Sequence, residues 1–161
     1  LLCSFLALSA CASPPRAIVV PSTAPIAREP RVVWPRFAEV QSWPTISAPF
    51  ANRGHAGTGS LAVVRVSPEA REAYTHLVQE TVLPDGAVVA LFHLDPANRP
   101  SSTYVMQKSA GTWSFLMLDA GGAESANPAE TARASEACRR CHADGVADSL
   151  FGLPRRSTTA P

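Results

Sequence analysis

The chain has 161 residues, 46% of them hydrophobic, with fourteen Lys and Arg against thirteen Asp and Glu and a formal net charge of +1. That length suits one domain with a real core. The near-neutral charge, with no basic run longer than Arg139-Arg140 or Arg155-Arg156, argues against a nucleic-acid partner.

Residues 1–8 form an apolar run too short to span a bilayer as a mature helix. They read as the hydrophobic part of an export signal. Leu8-Ser9-Ala10-Cys11 resembles a bacterial lipobox, in which the Cys11 thiol is lipidated after cleavage; ordinary signal cleavage near Ala10 or Ala12 is the alternative. Ala12, not Asp, follows the cysteine, which favours an outer-membrane anchor facing the periplasm. Residues 12–35 are rich in Pro, Ala, Ser and Arg without apolar periodicity and read as a tether. The expected division is therefore a signal remnant at 1–11, a tether at 12–35 and a folded domain at 36–161.

Within that domain a short helix is expected over 36–42, with Phe37 and Val40 on one face, stopped by Pro44. An extended segment at 45–50 and a glycine-rich loop at 52–59 lead to a strand at 60–66. Ser67-Pro68-Glu69 has the chemistry of a helix start, and the helix should run to about residue 79 with Ala70, Ala73, Tyr74 and Leu77 inward. Pro84-Asp85-Gly86 turns the chain into a strand at 87–94. A hairpin follows, 102–108 and 112–119, in which Tyr104, Met106 and Lys108 share one face, as do Trp113, Phe115 and Met117. The ordinary reading of those side chains is sheet core. A helix at 129–141 and an irregular tail at 143–161 complete an α+β arrangement: an antiparallel sheet of four or five strands with helices at its ends.

The C-terminal helix carries Cys138-Arg139-Arg140-Cys141-His142. Two cysteines two residues apart with a histidine at once behind are what covalent attachment of haem c needs, the thiols forming thioethers and the imidazole of His142 binding the iron. Zinc would want two further Cys or His ligands nearby, and a redox pair would want a thioredoxin-like strand and helix. The cysteine count agrees: Cys3 leaves with the signal, Cys11 takes lipid, Cys138 and Cys141 take haem, and none remains for a disulfide.

The motif stands near the C-terminus behind a chain that is mostly strand. Together with Ser42-Trp43-Pro44-Thr45-Ile46-Ser47, Arg53-Gly54-His55, Leu83-Pro84-Asp85-Gly86, Tyr104-Val105-Met106-Gln107-Lys108, Gly111-Thr112-Trp113-Ser114-Phe115 and the later Phe151, this order resembles the cytochrome P-460 and cytochrome c-prime-beta family over residues 37–154. The resemblance implies a homodimer with five-coordinate haem iron, His142 proximal and an open distal side. Members bind nitric oxide and other diatomic gases, or oxidise hydroxylamine, and exchange electrons with a partner that the sequence does not identify. Phe50 and Arg53 correspond to the family's distal phenylalanine and arginine. Arg53 is otherwise a solvated loop arginine.

Two departures bear on hydroxylamine turnover. The family's haem-cross-linking lysine would fall near 71–79, where there is none, leaving Lys108, the only lysine, as the fallback. The proton-relay carboxylate would fall at Tyr104, and tyrosine, with a free pKa of about 10, is a poor base near neutral pH. Glu69 or Glu72 would serve only if their helix faces the haem. A sixth ligand from His55, His76, His93, Met106 or Met117 would instead close the iron and make an electron carrier; surface or hydrogen-bonded histidines and core methionines are the ordinary readings. A haem-based binding or sensing module is the third possibility.

Overall fold

The computed structural model describes residues 31–52, 54–55 and 60–153. The expected signal remnant, Cys11 and most of the tether lie outside the described residues, as does Arg53. Five antiparallel strands form one meander in chain order: β1 (Phe50–Ala51), β2 (Leu61–Val66), β3 (Val88–Leu94), β4 (Pro100–Ser109) and β5 (Thr112–Asp119). Among the described residues three α-helices accompany them: α1 (Phe37–Ser42), α2 (Arg71–Thr75) and α3 (Pro128–His142). This is the expected α+β class with five strands.

Period-2 alternation gives the sheet two apolar faces. On one, Val63, Val88, Ala90, Phe92, Val105 and Leu118 pack with Phe37, Val40 and Trp43 from α1 and its end. On the other, Val64, Val89, Met106, Trp113 and Phe115 meet Ala70 and Tyr74 from the α2 region and Leu150 from beyond α3. Complete burial of side chains such as Phe92 and Leu118 contributes roughly 1.5–3 kcal/mol each. Register aligns the second face: Val89 opposes Met106, which opposes Phe115. Tyr104, Met106 and Lys108 share that face with Trp113 and Phe115, as the alternation predicts. The β4–β5 hairpin closes through Ala110 and Gly111, both at positive φ (47° and 72°), and Asp85 accepts from the Gly111 N–H.

Two expected elements differ. The extended segment at 45–50 contracts to β1, because Pro49 has no N–H to give a ladder; before it only Thr45 bridges to Arg65. The helix expected to reach residue 79 is a 3-10 turn at Pro68–Ala70 followed by α2, which ends at Thr75. Beyond it the β-branched Val78 is exposed and the chain turns, Thr81 N–H donating to the Val78 carbonyl. The inward face holds nonetheless, with Ala70 and Tyr74 buried and Ala73 and Leu77 packed against the core. The tail is irregular, as expected, over its described residues, and it packs: Ala147 and Leu150 are buried.

Gly122, at φ +83°, lets the chain after β5 lie against α1, and an added Cβ would stand 2.2 Å from the Phe37 ring. Gly122→Ala should therefore lower unfolding stability by about 2–5 kcal/mol, overpacking and a left-handed alanine acting together. The shift of the urea denaturation midpoint checks it.

Candidate functional site

Between α3 and the second sheet face lies a cavity of about 720 Å³, within the range of small-molecule and cofactor sites. Val64, Val89, Leu91, Met106 and Phe115 supply its apolar floor, and Cys138, Cys141 and His142 border it from α3. Helical spacing of three and four residues puts these three on one side of α3. The helix begins where Asn127 caps it, its side-chain oxygen accepting from Ala129 N–H at 3.0 Å, with Pro128 at the first helical position. It buries no residue of its own; Ser135 donates its hydroxyl to the Phe115 carbonyl at 3.2 Å.

What anchors the end of α3 is the loop behind it. The Asp148 carboxylate accepts from Leu83 N–H (2.9 Å), the Lys108 ammonium (2.7 Å) and the Trp113 indole N–H (3.1 Å). Asp148 and Ser149 both take positive φ, 47° and 63°. At Gly145 a Cβ would meet the Ser149 carbonyl carbon at 2.5 Å, so only glycine lets the loop double back so closely. The doubling brings the Ser149 carbonyl 2.8 Å from His142 Nδ1. A carbonyl oxygen only accepts, so Nδ1 carries a proton, and in the neutral ring Nε2 is then the nitrogen with the lone pair. The rings of Phe115 and Phe151 stand 5.4 and 5.2 Å from the His142 ring.

The thiols are of a different kind from those of a redox pair. Burial, helped by the nearby Cys141, raises the Cys138 pKa. Cys138 sits in the C-terminal half of α3, where the helix dipole also disfavours thiolate, whereas the attacking thiol of a reactive Cys-x-x-Cys needs a lowered pKa. Among the described residues no group of three or more His, Cys, Asp or Glu side chains is gathered in a way that could hold a metal ion. The residues able to hold a large group in the cavity are Cys138, Cys141 and His142.

Phe50 and Tyr104 also line the cavity. Lys108 does not: it is 4% exposed, and besides Asp148 its ammonium meets the Leu83 carbonyl at 2.9 Å and lies over the Trp113 ring. Glu69 and Glu72 are exposed and do not border the cavity. Of the candidate sixth ligands, Met106 is buried in the cavity floor, whereas Met117 and His76 are exposed.

Sequence reasoning did not foresee a polar cluster across the cavity from α3. Asn52, on the hairpin loop after β1, places its amide nitrogen 2.7 Å from His93 Nε2 and 3.3 Å from His55 Nδ1. The His55 ring stacks on Tyr104, centroids 4.4 Å apart, and stands 6.1 Å from the His142 ring. Burial, with His142 and His93 adding to it, pushes the His55 pKa down to about 4, and burial also lowers that of His93. Tyr104 is raised, chiefly by burial. The signal available beforehand was the glycine-flanked histidine in Arg53-Gly54-His55, but its partners lie 3 and 41 residues from it or from each other and meet only through strand pairing.

No protein-family model matches the chain, and no curated protein was found to match it.

Removing one partner of a buried ion pair leaves the other charge uncompensated. Asp148→Ala should therefore cost about 3–5 kcal/mol, and the double variant Asp148→Ala, Lys108→Met distinctly less. A denaturation double-mutant cycle measures the coupling.

Proposed function

We propose that the chain is a c-type mono-haem protein in which Cys138 and Cys141 hold the haem by thioether bonds and His142 ligates its iron through Nε2. The observation that carries this reading is the Ser149 carbonyl on His142 Nδ1. It sets the tautomer that a metal-binding imidazole needs and holds the ring beside a cavity that both cysteines border. The apolar lining suits the face of a porphyrin, and the protonated state favoured at Cys138 suits a tethering thiol better than an exchanging one.

When bound, haem supplies an iron centre at which a small ligand is held and electrons are exchanged. The protein's residues do the rest. Ser149 orients His142; Phe115 and Phe151 limit its tilt; Phe50 and Tyr104 bound the space in which a ligand would sit. The function this supports best is binding or redox chemistry of small nitrogen oxides, nitric oxide before hydroxylamine, in a protein of the cytochrome P-460 kind. The placement of Lys108 in the Asp148 pair speaks for ligand binding over hydroxylamine oxidation through a lysine cross-link. Export to the periplasm, a lipid on Cys11, a homodimer and a redox partner protein belong to the same proposal and rest on the sequence signals alone.

An electron carrier with six-coordinate iron is the second reading, favoured by one observation: the His55 ring faces the His142 ring across 6.1 Å.

Expressed with the cytochrome c maturation machinery, the protein should retain haem through denaturing electrophoresis, and Cys138→Ala with Cys141→Ala should abolish that retention. His142→Ala should keep covalent haem while losing the native iron spectrum. The reduced protein should shift its absorption on adding carbon monoxide. A wild-type chain without covalent haem would overturn the proposal, and a spectrum indifferent to the gas would replace it with the electron carrier.

A further inference from the structure

Lys108 is the chain's only lysine, and it is spent in a buried ion pair: its ammonium lies 2.7 Å from Asp148 Oδ2, the two side chains 4% and 12% exposed. Two well-packed apolar side chains would often stabilise such a place equally well, because taking both charges out of water costs much of what their attraction returns. Stability alone therefore does not account for a charged pair here. Its charges act on what lies beside them, and beside Asp148 lies the group that holds His142.

That group is a single peptide unit. Its carbonyl, from Ser149, accepts from His142 Nδ1 at 2.8 Å, and its N–H, from Leu150, donates to the Ala147 carbonyl at 2.7 Å. Hydrogen bonds at both ends polarise the unit in the same sense. It lies hard against Gly145, where an added Cβ would stand 2.5 Å from its carbon and 2.6 Å from its nitrogen. Asp148 is the residue just before it, consecutive Cα atoms being about 3.8 Å apart.

The two charges push this carbonyl in opposite directions. A carboxylate beside it makes the oxygen a stronger acceptor, and burial leaves the effect weakly screened. A stronger acceptor on Nδ1 draws that proton away from the ring and makes Nε2 a better electron donor to a metal. The Lys108 ammonium opposes this by neutralising the carboxylate.

We propose that the Lys108–Asp148 pair sets how strongly His142 donates to the haem iron, both residues acting as positioning residues through the Ser149–Leu150 peptide unit. This deepens the haem reading above and rests on it. A better-donating imidazole favours oxidised iron, so the balance of the pair regulates how readily the site is reduced.

The test uses the full-length haem-loaded protein, read by redox titration and by the iron–histidine stretching frequency of the ferrous form in resonance Raman spectra. Lys108→Met leaves the carboxylate with the Leu83 and Trp113 donors, and should lower the reduction potential and raise the stretching frequency. Asp148→Asn keeps the side-chain shape, leaves the ammonium on the Leu83 carbonyl, and should do the reverse. The double variant, with neither charge, should return both readings toward the wild type. Trp113→Phe removes one donor from Asp148 and no formal charge; it should move both readings as Lys108→Met does, by less, and carries the test where the charge variants do not hold haem. A merely mechanical anchor would shift the two single variants in the same direction, and that result would overturn the proposal. So would potentials that part while the stretching frequency stays still, because charge acting across space alone leaves the iron–histidine bond as it was. Trp113→Phe moving neither reading, where it stands in, would overturn it equally. Absence of covalent haem from the wild type would remove the haem reading itself, and this inference with it.

Discussion

The three donors gathered on the Asp148 carboxylate hold together the half of the molecule that matters for chemistry. The helix α3 buries no side chain fully, only Cys138 of it packing partly against the core, so hydrophobic contact gives its end little hold. Its last residue, His142, is positioned by the loop that follows, and that loop is tied to the sheet by one side chain reaching Leu83, Lys108 and Trp113. Lys108 sits almost fully buried, where an unpaired ammonium would be costly, so the pair is mutually required. Two consecutive residues at positive φ store strain that this tie must offset. In exchange the Ser149 carbonyl arrives under His142.

The sheet uses its two faces differently. One is filled with side chains down to Val40 and Val88 at 0% exposure, and α1 closes it. The other is core only at its ends: Tyr74, Leu83 and Trp113 pack at one side while Val64, Leu91 and Phe115 floor a cavity. The first face supplies rigidity so that the second can leave space without the sheet collapsing into it, an arrangement in which the floor of the cavity is built from strands.

Much of this was legible beforehand, for physical reasons that differ by element. Strand β2 follows from its small and β-branched run, β3 from the turn before it and the β4–β5 hairpin from alternation, all of which act within a few residues, and the Cys138 to His142 motif is a local spacing along one helix. The short β1 was overestimated because Pro49 removes a donor, and α2 because side-chain periodicity fixes a helix's inward face better than its length. The packing of the tail escaped because Leu150 and Asp148 have meaning only through partners such as Lys108, 40 residues away. The Asn52, His55 and His93 cluster escaped for the same reason: Phe50 pairs with Ala62 and Ala62 with His93, and no local pattern encodes that second step.

What distinguishes the histidines of the site is their neighbours, not their residue type. His142 meets a carbonyl at Nδ1 and so offers a lone pair; His55 meets an amide NH2 at Nδ1 and so offers a proton. The same logic separates the thiols from a redox couple. At the start of α3 the dipole would favour a thiolate; at its end, beside the cavity, burial raises the pKa of Cys138. The helix direction, set by Asn127 at one end and by Asp148 through its loop at the other, thus bears on both the imidazole and the sulfur chemistry. That gives the proposed haem site a coherence which neither the motif nor the cavity supplies alone.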